Sequence, residues 1–205
     1  MLGPSWQAIA EAQAVVGDGY RARDNLIGEG QQKGCHGAMN SAELKNLTVW
    51  KRWNENVAGD APPAPGIYVF RLADGKTIQR LKGNSDILYI GSSKKLRERF
   101  KGHLKVIDVE RNIAYRLQRV RQEIGGLQVA WELYDRVDKA TVAERLFLTK
   151  YEKDHIEFPP LNRSEPGKRS RMIEEWLKLP LGKMPDLLAT LEKIRSGALE
   201  IHRTG

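Results

Sequence analysis

Three short runs with a period of two, "IYVFRL" from residue 67, "DILYI" from 86 and "LQVAWELYDRV" from 127, set the limits on what this chain can fold into. A period of two sends successive side chains to opposite faces of a sheet, so the spacing predicts three strands. "ADGK" at 73–76 and "KGNSD" at 82–86 supply turn residues between the first two, which joins them as a hairpin with an elaborated tip. Between the second and third strands, residues 93–106 and 108–124 carry helical periodicity, and Gly125 and Gly126 end the second helix. A further helix is expected over 141–156, closed by Pro159 and Pro160. Helices interrupt the strands without regular βαβ alternation, which gives the α+β class with an antiparallel sheet rather than a doubly wound one.

Regions flanking this core read differently. Trp6, Ile9, Ala10 and Ala14 are spaced for a helix over 5–16, and "SAELKNLTVWKRWNE" predicts another, capped by Ser41 with Leu44, Leu47 and Trp50 along one face. The three prolines of "GDAPPAPG", 59–66, break regular structure and divide a helical N-terminal extension, 1–60, from a central domain, 65–163. Residues 164–205 begin basic and continue as two short amphipathic helices. The 34 Lys and Arg residues outnumber 26 Asp and Glu, for a net charge of +8. Such a balance suits a polyanionic partner or a basic, soluble surface. A single cysteine, Cys35, excludes an intramolecular disulfide and fits a reducing compartment. In "KGCHG" it stands beside His36, which raises zinc, but zinc takes about four ligands and the other histidines, at 103, 155 and 202, lie in separate contexts. An ordinary loop is the competing explanation. No stretch approaches the roughly 18 apolar residues of a membrane span, and the N-terminus lacks a basic start followed by an apolar run. A soluble, intracellular, cytoplasmic protein is expected.

The stretch "ILYIGSSKKLRERFKGH", 87–103, concentrates the chemistry. On a helical wheel Leu96, Phe100, Leu104 and Ile107 form the core face, with Arg99 and His103 stacked on its border one turn apart. Lys94, Lys95, Arg97, Lys101 and Lys105 make the rest of the helix basic, which points to nucleic acid, and Lys168, Arg169 and Arg171 extend the basic set beyond the core. For Arg99 and His103 the competing explanation is a solvated helix face with a satisfied histidine. Ser92 and Ser93 can cap this helix or leave its N-terminus to a phosphate. No dinucleotide or P-loop glycine pattern follows Gly91, so no nucleotide cofactor is expected.

Glu144 has two explanations. "TVAE" at 141–144 matches a capping box, in which the glutamate returns to its own helix N-terminus. The wheel instead sets Glu144 outside the solvent arc of Arg145, Thr149 and Glu152, beside Leu148 and Tyr151, where a carboxylate needs a partner such as Mg²⁺. Tyr68 and Tyr89 fall on neighbouring strands, as core aromatics or as site residues. Asn162 follows "PPL" as an ordinary turn residue would.

Taken in order, these pieces resemble the GIY-YIG nuclease family: "GIY" at 66–68, "YIG" at 89–91, then Arg99, His103, Glu144, Tyr151 and Asn162. The resemblance spans residues 65–163, about half the chain. It implies a small three-stranded antiparallel sheet flanked by helices and hydrolysis of DNA phosphodiester bonds with one divalent cation, Mg²⁺ or Mn²⁺. By that resemblance Glu144 would hold the metal and Arg99 would stabilise phosphate charge. Tyr68 would act as or activate the general base, Tyr89 and His103 would position groups or shuttle a proton, and Asn162 would brace the site. A nucleic-acid-binding module that keeps the fold without cutting is the alternative. Two departures stand out: 20 residues separate Tyr68 from Tyr89, and "EKDHIEF" lengthens the stretch before the prolines. His155, within that extension, competes with His103 for the histidine role.

Overall fold

The computed structural model describes residues 44, 46–105, 112–162, 168–178 and 186–202. The expected helix over 5–16, Cys35, His36, Ser41 and Ile107 lie outside these. Six strands are described: β1 (Lys51–Arg52), β2 (Gly66–Leu72), β3 (Ile78–Gln79), β4 (Asn84–Ser85), β5 (Ile87–Ser93) and β6 (Leu127–Leu133). The helices are α1 (Glu55–Asp60), α2 (Leu96–Leu104), α3 (Ile113–Glu123), α4 (Val137–His155), α5 (Lys168–Leu177) and α6 (Leu187–Ser196).

Every residue of β2 except Arg71 is buried, the mark of a central strand covered on both faces. It pairs antiparallel with β5 on one side and β6 on the other, and β1 extends the sheet beyond β6 to give the order β1-β6-β2-β5. Alternation along β2 divides the core into two. Tyr68, Phe70 and Leu72 pack with Leu96, Phe100 and Leu117 from α2 and α3, whereas Ile67 and Val69 pack with Val142, Leu146 and Phe147 from α4. The antiparallel α+β sheet flanked by helices follows the sequence expectation, with one added edge strand.

That edge strand corrects the helix expected over 41–55. Thr48 donates its backbone N–H to the Trp131 carbonyl at 2.8 Å and accepts from the Trp131 N–H at its own Oγ1 at 3.1 Å. Pairing continues through Lys51 and Arg52 along β6, and helix begins only at Glu55, capped by Asn54. Leu44 is buried, and Leu47 and Trp50 pack against the same core, so their helical spacing was real as a burial signal and misleading as a backbone one. An open edge on β6, offered to the β-branched Thr48 and Val49, outweighs helix propensity.

Two more expectations shift. The third strand stops at Leu133 rather than running to 137, and α4 starts at Val137, one turn before the expected 141. Consequently Thr141 is already helical and donates its hydroxyl to the Val137 carbonyl at 2.9 Å, so "TVAE" is no capping box. Arg145 and Thr149, assigned by the wheel to solvent, are buried, with the Arg145 guanidinium 5.7 Å from the Phe158 ring. The C-terminal pair of helices adds Ile173, Trp176, Leu187, Leu191 and Ile194 to the same core as α4.

α1 runs through Gly59 and Asp60 into the stretch expected to be irregular and ends before Pro62, and the segment then presents its carbonyls to α2. Leu96 N–H donates to Ala64 and Arg97 N–H to Pro62, at 3.1 and 3.2 Å. These satisfy two of the orphan donors of the helix start. Neither Ser92 nor Ser93 caps α2, whose N-cap, Lys95, makes no side-chain capping bond.

The spacer between Tyr68 and Tyr89 and the stretch "EKDHIEF" are bound to each other. The spacer after β2 folds into the β3–β4 hairpin, and the lengthened end of α4 holds it: Arg80 reaches Glu157 and the Phe158 carbonyl, both at 2.8 Å. Leu81 N–H donates to Glu157 Oε1, and His155 Nδ1 meets the Lys82 carbonyl, again at 2.8 Å. Glu157→Ala removes two of these contacts and leaves a side chain that is 8% exposed, Arg80, with one. The expected cost is about 1–3 kcal/mol, with faster amide exchange over 78–85 and unchanged protection of α4. Hydrogen exchange that does not change at the hairpin would contradict this account of how it is held.

Candidate active site

The site grows from Tyr68. Its ring is fully buried in a box of aromatic edges, with Phe70 at 5.9 Å and Phe100 at 5.3 Å, both near-perpendicular. Trp53 in turn sets its edges against Phe70 and Phe100, at 4.9 and 5.3 Å. Edge-to-face pairs contribute about 0.5–1.5 kcal/mol each beyond burial, so the phenol is held in one orientation by packing alone.

At the mouth of that box the hydroxyl meets two side chains from one helix. Arg99 Nε donates to Tyr68 Oη at 3.0 Å, and His103 Nε2 lies 2.9 Å from the same oxygen. Four residues apart on α2, the two groups lie one above the other, as the sequence spacing requires. His103 is buried rather than on the border of its helix, while Arg99 is exposed. Tyr89 completes the group, its ring 5.8 Å from Tyr68 and 6.5 Å from His103.

Gly91 makes this approach possible. It lies opposite Tyr68 in the β2–β5 register, and a Cβ there would fall 2.6 Å from Tyr89 Cε1 and 2.8 Å from Tyr68 Oη. Any side chain would drive the phenols out. The glycine of "YIG" is thus a matter of space between two rings and not of backbone angle.

Electrostatics follow from the burial. The Tyr68 phenol is pushed well above its ordinary value, first by loss of water and then by Tyr89, with Arg99 opposing by less. His103 is lowered to about 3, chiefly by desolvation and then by the Arg99 charge, so its imidazole is neutral near pH 7. In its Nδ1–H tautomer a neutral imidazole accepts the phenolic proton at Nε2. Arg99 holds its own proton more firmly than usual, Tyr68 being the first cause.

Glu144 approaches from the other side of the sheet. It sits in the third turn of α4, buried, and accepts a hydrogen bond from Ser92 Oγ. Ser92 is the residue after Gly91, and consecutive Cα atoms are about 3.8 Å apart, so the carboxylate is anchored one residue from the point where the phenols meet. Among the described residues no group of three or more His, Cys, Asp or Glu side chains is gathered. Asn162 grips the free edge of β5: its Oδ1 accepts from the Ile90 N–H at 2.9 Å and its Nδ2 donates to the Ile90 carbonyl at 2.7 Å. The strand between Tyr89 and Gly91 is thereby fixed from outside.

The remaining expected residues separate into groups. Lys94, Lys95, Lys101 and Lys105 are exposed. Arg97 is half-buried and donates Nε to the Ala61 carbonyl at 2.8 Å, tying α2 to the segment before β2. Lys168, Arg169 and Arg171 open α5, and their side chains lie outside the described residues. His155 is fully buried 4.3 Å from the Tyr151 ring and serves the hairpin, so it does not share the site with His103. Sequence reasoning missed Ser92 as the partner of Glu144, weighing it only as a helix cap. Its signal was its place, directly after "YIG".

No family model matches the chain, and no curated protein matches it. Among solved structures it is similar to the GIY-YIG N-terminal endonuclease domain of UvrC from Thermotoga maritima. The form bound to magnesium, its catalytic divalent cation, is 21% identical, with a TM-score of 0.36 over 54% of this chain and 99% of that one. Two point mutants of that domain, each bound to the catalytic divalent cation, match at 20% identity and the same TM-score. Among the described residues no helix is long and apolar enough to cross a membrane.

The neutral histidine has a consequence for stability. An unfolded His103 binds its proton near pH 6.5 and the folded one only near 3. In between, the unfolded state holds more protons, so stability falls as pH is lowered from about 6.5 toward 3. Urea denaturation across this range should show a steep loss for the wild type and a shallower one for His103→Gln. Parallel slopes would mean that the imidazole is not shut away from water.

Proposed function

We propose that this chain is a metal-dependent DNA endonuclease that hydrolyses phosphodiester bonds, of the restriction, mobile-element or repair type. The observation that carries it is the convergence of Arg99 and His103 on the buried hydroxyl of Tyr68. An arginine bonded to a phenol beside a neutral imidazole is an unusual expense of burial for structure alone, whereas it suits proton transfer next to an anion.

In the reaction a water oxygen bonds to phosphorus as a P–O ester bond breaks. Arg99 gives Nε to Tyr68 and also interacts with Tyr89, and its guanidinium is assigned to a phosphoryl oxygen as charge builds there. The phenol is too weakly acidic in its pocket to ionise unaided. It relays instead, taking a proton from the attacking water while passing its own to His103 Nε2, and the leaving oxygen departs with the P–O electron pair and takes a proton from solvent. Arg99 is one of the two causes that lower the basicity of His103. A bound phosphate offsets that charge, so the imidazole becomes a better acceptor when substrate is in place. Tyr89 lines the same space and keeps the water oriented.

The donors near Glu144 fit a hard cation. A buried carboxylate and the Ser92 hydroxyl are both oxygen ligands, and Mg²⁺ commonly takes only one or two protein carboxylates, with water and phosphate completing its shell. Bound there, such an ion supplies Lewis-acid stabilisation of phosphoryl oxygens. The exposed Lys94, Lys95, Lys101 and Lys105 are assigned to the flanking DNA backbone. Residues 1–60 and 164–205, including Lys168, Arg169 and Arg171, are assigned to substrate recognition around the 65–163 domain.

Supercoiled plasmid incubated with Mg²⁺ or Mn²⁺ should be nicked by the wild type. Glu144→Ala should abolish nicking, and Arg99→Ala should lower it by about 10²–10³-fold, with DNA retained in a gel shift by both. A wild type that shifts DNA without cutting under either metal would make the chain a binding module with a nuclease-like fold.

A further inference from the structure

We infer that Arg145 and Thr149 form a phosphate-binding subsite on α4, separate from the groups that meet at Tyr68. The ligand chemistry is read from these residues themselves; only its assignment to the DNA backbone rests on the nuclease reading.

The starting observation is a buried charge with no counter-charge. Arg145 is 8% exposed, and its Nε is closed off without a hydrogen-bond partner. Arginines in comparable settings are paired: Arg71 with Asp86, Arg80 with Glu157 and Arg195 with Glu132. Among the described residues no carboxylate answers Arg145, which has instead the Phe158 ring, 5.7 Å from its guanidinium carbon. A cation–π contact is far weaker than the penalty for taking a guanidinium out of water, so the ring alone does not offset the burial.

Thr149 is the second observation. It is also 8% exposed, and its Oγ1 is likewise closed off without a partner. Thr141 and Thr190 return their hydroxyls to the carbonyl four residues back. Thr149 makes no such bond, although the Arg145 carbonyl stands at the corresponding place. Four residues apart on α4, the two side chains share one face of the helix. A guanidinium fork offers parallel N–H groups to two oxygens of one anion, and a hydroxyl adds a third donor. A phosphodiester, with two terminal oxygens sharing a single negative charge, matches that set and neutralises the one charge present. The Arg145 amino groups are not among the closed-off atoms, so the fork is the end that an incoming anion meets. Successive helix residues point about 100° apart, so a phosphate held by Arg145 is a second one, distinct from any at Glu144.

The test uses the full chain with Arg145→Met and Thr149→Val, in the absence of divalent metal so that DNA is bound and not cut. Thermal unfolding is followed against inorganic phosphate, and binding of a labelled DNA duplex by fluorescence anisotropy. Phosphate should raise the wild-type midpoint beyond the general salt effect seen with Arg145→Met. Arg145→Met should weaken DNA binding by about 10- to 100-fold, the loss of hydrogen bonds to a charged group, with Thr149→Val weakening it less. Without phosphate or DNA, Arg145→Met should unfold at the wild-type temperature or above it, since it removes an unpaired buried charge. Loss of the phosphate effect with unchanged DNA affinity assigns the site to free phosphate, and loss of both assigns it to the DNA backbone. If Arg145→Met only lowers the midpoint and leaves both titrations as in wild type, the arginine is structural and the inference is overturned. Should Arg145→Met fail to fold, an unchanged phosphate response in Thr149→Val overturns it equally. A wild type that responds to phosphate as expected yet nicks no plasmid with Mg²⁺ or Mn²⁺ would sink the nuclease reading alone.

Discussion

One hydroxyl organises this protein. Tyr68 Oη takes a hydrogen bond from Arg99 and shares another with His103, and everything nearby makes that meeting possible at fixed distances. The aromatic edges of Phe70, Phe100 and Trp53 leave the ring a single orientation. Gly91 removes the one side chain that would stand between the two tyrosines. Burial then suppresses ionisation of both phenol and imidazole, so both groups are neutral near pH 7.

The surrounding fold serves rigidity more than binding. Asn162 closes the open edge of β5 where an unpaired strand would otherwise slip, and the carbonyls of Pro62 and Ala64 fix the start of the helix that carries Arg99 and His103. Hairpin and helix end hold each other through Arg80, Glu157 and His155. On the far face, the C-terminal helices complete the core around α4 and fix it further through Arg195, which grips Glu132 of β6 with two bonds of 2.6 Å.

Much of this was legible in the sequence because it follows from local periodicity. Alternation marked β2, β5 and β6, and the four-residue spacing of Arg99 and His103 placed both on one side of one helix. What misled was information that depends on distant partners. Leu44, Leu47 and Trp50 have helical spacing, yet the neighbouring chain pairs with an edge that only the folded β6 supplies. "TVAE" has the form of a helix start, but α4 had already begun a turn earlier, and Arg145 has no local sign that Phe158 will lie against it. Ser92 is the instructive case: a serine at a strand end is an unremarkable residue until the helix that carries Glu144 is brought against it.

The state of the Tyr68 phenol bears most directly on all of this. Tyrosine labelled at Cζ with ¹³C reports ionisation by NMR residue by residue, with Tyr68→Phe identifying its signal. Tyr68 is expected to stay protonated beyond pH 10, where a water-exposed phenol is already half ionised, and to become easier to ionise in His103→Gln only if water enters. A Tyr68 that titrates at or below its ordinary value in the intact protein would mean an open, solvated hydroxyl, and the proton relay built on it would be wrong.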